Sequence, residues 1–77
     1  MNTAGQIKAL TLAGRIILEN GGETYRAEDT IFRMAHAMGL KEPDAFGVPR
    51  GLFISFTDEQ GERRTTVCRM HGRDTDL

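Results

Sequence analysis

The sequence predicts a small α+β domain in the order ααββ, an antiparallel αα-hairpin followed by a β-hairpin. Three observations lead there. Apolar residues recur at helical spacing in two stretches separated by Gly21-Gly22. The pattern then changes at Gly51 to a run of apolar, aromatic and β-branched residues. A polar turn, Asp58-Glu59-Gln60-Gly61, divides that second half into two strands. With 77 residues there is room for one domain, 1–77, near the size at which a single core is only just sufficient.

The first helix is expected over about residues 4–20. Thr3 and Gln6 fit a capping box, in which the hydroxyl accepts an amide of the first turn and the Gln side chain reaches back. Ile7, Leu10, Ala13, Gly14, Ile17 and Leu18 form one apolar stripe. Gly14 costs about 1 kcal/mol of helix propensity relative to alanine, so a second backbone should approach closely there. Asn20-Gly21-Gly22 ends the helix, because glycine takes the left-handed conformation without a Cβ clash.

The second helix is expected over about residues 23–38, with Gly39 just beyond it. Glu23, Glu28 and Asp29 lie toward its start and Arg33 and His36 toward its end, which suits the helix dipole. Ala27, Ile31, Met34, Ala35 and Met38 make its buried face. The short link forces the two helices antiparallel.

Residues 40–50 read as a connector, since Pro43 and Pro49 both oppose a continued helix. Strands follow at about 51–57 and 62–70. A four-residue loop places Thr57 opposite Glu62, which sets Leu52 against Val67, Ile54 against Thr65 and Phe56 against Arg63. The other face then carries Phe53, Cys68 and Met70. One apolar face suffices for a hairpin packed on two helices. These three residues therefore predict a second cover, by another chain or by further sequence, and mark a dimer or domain interface. The tail, residues 71–77, shows no core-forming pattern and is expected to fray.

Composition narrows the function. Five basic and six acidic residues precede Phe46, and five of each follow from it onward, so no basic stripe forms and nucleic acid is not an expected partner. Cys68 is the only cysteine, which excludes an internal disulfide and favours a reducing compartment. No uninterrupted apolar run is longer than the three residues of Ile16-Ile17-Leu18, far short of the ~20 residues that span a bilayer. The N-terminus lacks the layout of a secretory signal.

No catalytic constellation emerges, and no enzyme activity, cofactor or metal is expected. Cys68 and His71 stand at C-x-x-H spacing, but the four ligands of a structural zinc site are not assembled by the pattern. Gly21-Gly22 lacks the Lys-Ser/Thr that completes a phosphate-binding loop. One polar cluster stands out as a small-ligand candidate: Glu23, Tyr25, Arg26 and Glu28, with Asp29 beside them. Arg26 has the bidentate fork that grips a carboxylate. The plainer reading of the same residues is a solvated helix start with short-range ion pairs and the Tyr25 ring packed at the turn.

Several runs resemble the opening domain of bacterial threonine/serine exporters of the ThrE type. They are Gly14-Arg15-Ile16-Ile17-Leu18, Gly21-Gly22-Glu23-Thr24-Tyr25-Arg26, Glu28-Asp29-Thr30 and Ala37-Met38-Gly39-Leu40. Gly51-Leu52-Phe53-Ile54-Ser55 and Thr66-Val67-Cys68-Arg69 continue the match, which covers about residues 10–77. The resemblance implies a non-catalytic accessory or regulatory domain on the cytoplasmic side of the bacterial inner membrane. Its partner would be the transmembrane part of the exporter, which this chain lacks, so the chain is expected to be part of a larger membrane protein. A homodimer is expected through the uncovered sheet face. The alternatives are a stand-alone ligand-binding or hydrolase-like domain using the Glu23–Glu28 cluster, and a pure dimerisation module.

Overall fold

Helix α1 covers Thr3–Glu19 and α2 covers Thr24–Ala37 in the computed structural model, which describes residues 2–70. The anticipated fraying of 71–77 lies outside the described residues. Asn2, one residue before the expected cap, caps α1: its Oδ1 accepts the Gly5 N–H at 2.8 Å. Both helices end in the same way. Gly22 N–H donates to the Ile17 carbonyl at 2.8 Å and Gly21 N–H to that of Leu18, with Gly21 at φ 81°. Leu40 and Gly39 repeat this pair of bonds on Ala35 and His36, again with the glycine at φ 81°. These crossed bonds satisfy carbonyls that a helix end leaves without partners.

Three strands follow where a hairpin was expected. β1 spans Lys41–Val48, β2 Gly51–Thr57 and β3 Arg63–Arg69, in the antiparallel order β1-β2-β3. The expected connector is therefore an edge strand. It tolerates its prolines because Pro43 falls within an irregularity of pairing between Lys41 and Asp44, while Pro49 falls in the turn to β2. That turn has only two residues, since Val48 pairs with Gly51, and Arg50 adopts φ 62° there.

The β2–β3 register differs by one residue from the expected one. Leu52 faces Cys68, Ile54 faces Thr66 and Phe56 faces Arg64. The cause is the turn. Gly61 takes φ 81°, its N–H bonds the Asp58 carbonyl, and the Asp58 N–H bonds the Glu62 carbonyl, leaving a loop of three residues. Because side chains alternate along a strand, a one-residue slip exchanges the faces.

Cys68 thus lies on the covered face and is 0% exposed, and Val67 takes the open one. Met70 is half-buried beyond the end of β3, where its N–H donates to the Arg50 carbonyl at 2.9 Å. The expected grouping of Phe53 with Cys68 and Met70 on one open face is corrected accordingly.

Both helices lie on one side of the sheet, α2 against β1 and α1 against β3. Between the layers sits a core of Leu10, Ala27, Ile31, Ala35, Leu40, Leu52, Ile54, Phe56 and Cys68. Gly14 is buried in it. A Cβ there would stand 3.2 Å from Leu52 Cδ2, 3.6 Å from Cys68 Sγ and 3.7 Å from Ile31 Cδ1. Side chains of the sheet and of α2, and not a second backbone, fill the space that this glycine leaves.

Candidate functional site

The sheet's second face is not covered by either helix. Cross-strand pairing aligns Phe46 with Phe53 and Phe53 with Val67, so one apolar residue from each strand forms a row across that face. The Phe46 and Phe53 rings stack with centroids 4.7 Å apart and planes at 24°. Phe46 remains 44% exposed and Val67 46%. A connected apolar row left in water is the most informative feature of the surface, since isolated exposed apolar residues are ordinary. Reading the sequence alone found Phe53 but missed Phe46, because 40–50 read as a loop, and Val67, because of the slipped register.

The polar cluster at the start of α2 is dispersed. Glu23 is the N-cap residue, exposed and without a side-chain capping bond. Tyr25 is 65% exposed and its ring is not packed at the turn. Arg26 is exposed, and among the described residues it pairs with none of Glu23, Glu28 and Asp29. Asp29 pairs instead with Arg33 at 3.0 Å. Glu28 is half-buried, and its Oε2 accepts the Gly47 N–H at 2.5 Å. Tyr25 and Arg26 thus share the exposed first turn, while Glu28 is engaged in joining α2 to β1.

The most strongly organised carboxylate is Asp58, which is 2% exposed. It accepts the Gln60 and Glu62 N–H groups, each at 2.9 Å, and the Arg64 guanidinium at 2.8 Å. The Arg64 guanidinium and then the Glu62 amide hold its carboxyl below the ordinary range, against a smaller opposing effect of burial. Every contact serves the turn, so Asp58 is a structural group.

Nearby, Arg63 donates to the Glu42 carbonyl at 2.8 Å and to Thr57 Oγ1 at 3.1 Å. Cys68 donates its thiol to the Thr11 carbonyl at 3.3 Å, and burial raises its pKa, which leaves it unsuited to nucleophilic work. Among the described residues, no group of three or more His, Cys, Asp and Glu side chains is placed to hold a metal ion. Among the same residues, no helix is long and apolar enough to cross a membrane.

The geometry defines a two-layer α+β domain with one open sheet face and no assembled catalytic group among the described residues. Residues 8–77 match the family described as "Putative threonine/serine exporter", and the chain belongs to that ThrE family. No significant match was found among curated proteins or among solved structures.

Proposed function

We propose that this chain is a non-catalytic accessory domain of a threonine/serine exporter, facing the cytoplasm and acting through its surfaces on assembly or regulation. The observation that carries the reading is the Phe46–Phe53–Val67 row, an apolar surface held on a rigid sheet where a partner can cover it. The family match supports the connection to export, and the transmembrane part of the exporter is the partner it implies. A single buried cysteine suits a reducing compartment.

The test is threonine efflux from bacterial cells whose export depends on the protein that contains this domain. Removing residues 1–77, or replacing Phe53 and Val67 together by Glu, is expected to reduce efflux while the membrane part is still produced. Unchanged efflux in both strains would overturn the reading.

The alternative, a small-ligand site at Glu23, Tyr25, Arg26 and Glu28, makes a different forecast. Threonine or serine at millimolar concentration would shift the amide resonances of Tyr25–Glu28, and Arg26→Ala would abolish the shifts. The engagement of Glu28 by Gly47 favours the accessory reading, under which the spectrum stays unchanged.

A further inference from the structure

We propose that the outer edge of β3 is a strand-addition site, which takes an extended acidic segment of a partner protein as a fourth strand of the sheet. The site is the edge of the sheet and is independent of the role in export. The β2–β3 ladder sets which groups face outward. Asp58 N–H donates to the Glu62 carbonyl and Met70 N–H to the Arg50 carbonyl, continuing at both ends the register in which Leu52 faces Cys68. Bonded pairs alternate along an antiparallel ladder, so Arg64, Thr66 and Cys68 turn their N–H and C=O groups toward β2. Arg63, Thr65, Val67 and Arg69 turn theirs outward, and all four residues are exposed.

The opposite edge is closed to such an addition. Pro43 has no N–H to offer, Glu28 occupies the N–H of Gly47, and α2 packs against β1. The β3 edge instead presents a row of donors and acceptors at strand spacing. The complement of that row is the backbone of an extended chain.

Charge selects which chain. α1 stands over the interval between β2 and β3, since a Cβ on Gly14 would lie 3.2 Å from Leu52 Cδ2 and 3.6 Å from Cys68 Sγ. The Cys68 thiol donates to the Thr11 carbonyl, so the Thr11 side of α1 is the side above β3. Lys8 and Arg15 share it, lining with Thr11 and Leu12 a groove of about 270 Å³. A second copy joined edge to edge would place its β3 about 4.8 Å from this one. Its α1 would then lie about 9.6 Å away, an ordinary helix-packing distance, with Lys8 and Arg15 set against the same residues of the other copy. On that side of α1 only Glu19 offsets them, and its carboxylate already holds Arg15 at 3.5 Å. The seam therefore disfavours a second copy and favours acidic side chains.

The remaining charges agree. Arg63 and Arg64 each hold one carboxylate, whereas Lys8 on the helix side and Arg69 on the open side make no ion pair among the described residues. The Phe46–Phe53–Val67 row runs out to this same edge, and a fourth strand continues it with an apolar side chain beside Val67. The segment that fits alternates apolar residues on the open side with acidic residues on the side of α1.

Hydrogen exchange of the 77-residue chain, read by amide resonances, tests the proposal with a blocked octapeptide of alternating glutamate and valine. At about 2 mM peptide the amides of Arg63, Thr65, Val67 and Arg69 are expected to exchange at least ~3-fold more slowly, the protection given by a Kd near millimolar. Ala45, on the β1 edge, should be unaffected, and the peptide with lysine for glutamate should protect nothing. Val67→Pro removes an outward N–H and leaves the β2 ladder whole, so it is expected to weaken binding about 10-fold. Lys8→Glu should weaken it about 3-fold and reduce its salt sensitivity. Circular dichroism identifies a variant that has merely unfolded, and the comparison of the two peptides on the unmodified chain decides the matter without it. No protection by the glutamate peptide, equal protection by the lysine peptide, or unchanged binding to folded Val67→Pro would overturn the site. Protection of the same four amides that rises with protein concentration, in the absence of peptide, would assign the edge to a second copy and overturn the acidic partner.

Discussion

The carboxylate of Glu28 accepts the backbone N–H of Gly47 at 2.5 Å, joining the second turn of α2 to the edge strand β1 across nineteen positions. In a hairpin closed by the Val48–Gly51 pair, the N–H of Gly47 points away from β2. Without Glu28 it would be an unpaired donor on an open strand edge, a place where sheets recruit foreign strands. Glu28→Ala is therefore expected to lower stability by about 1–2 kcal/mol, the range for a charge-assisted bond at a half-buried site. Glu28→Gln, which keeps an acceptor oxygen but not the charge, should lose about half as much. Urea denaturation of the three proteins measures both.

Gly47 has a second constraint. A Cβ at this position would collide with Cγ2 of Thr24, at the start of α2. Gly47→Ala should cost about 1–3 kcal/mol through overpacking. Thr24→Ala removes the obstacle, so the double variant should recover most of the loss. A double-mutant cycle without coupling would show that the helix start does not rest on β1 as described.

At Gly14 size decides the outcome. Alanine would gain about 1 kcal/mol of helix propensity against a tight 3.2 Å contact with the end of the Leu52 side chain, so Gly14→Ala should be nearly neutral. Leucine has no room between Leu52, Cys68 and Ile31, and Gly14→Leu should cost at least ~1–3 kcal/mol. Thermal or urea midpoints distinguish the two.

Acid stability should depend on Asp58. Its folded pKa is lowered from 3.8, so the unfolded chain takes up the proton first as pH falls. The stabilisation is complete above the unfolded value and is lost as pH falls through the folded one. Urea midpoints should begin to drop below about pH 4, and Asp58→Asn should flatten that part of the curve. An unchanged slope in the variant would assign the acid sensitivity to other carboxylates.

Arg50 occupies a left-handed position, φ 62°, in the two-residue turn after Pro49. Glycine has no steric penalty there, so Arg50→Gly should stabilise the chain by up to about 1 kcal/mol. A fall in the midpoint would mean that the Arg50 side chain contributes contacts of its own.

The two helices were legible because the apolar spacing, the glycine stops and the Gly-Gly link all indicated the same hairpin. β1 was not, since Lys41-Glu42-Pro43-Asp44 has the composition of a loop and becomes a strand only by pairing with β2. The β2–β3 register turned on one glycine. With Gly61 in the left-handed conformation the loop closes one residue shorter, and Asp58 draws in the amides of Gln60 and Glu62. That slip interchanged Val67 and Cys68, and with them the composition of the open face. The polar cluster was legible as residues but not as geometry, because the partner of Glu28 is a backbone amide nineteen positions away, in the strand that read as a loop.

Cys68 makes the chain its own reporter of breathing motions. The sole thiol lies beneath Gly14, fully enclosed, and burial keeps it protonated. A thiol reagent can reach it only when α1 lifts from β3, so each modified molecule records one separation of the two layers. Mass spectrometry then gives the frequency of that event from a single added mass, without a probe that perturbs the surface. Binding anything to the open face that stiffens the sheet should slow the labelling, although the reagent and the ligand would act on opposite sides of it.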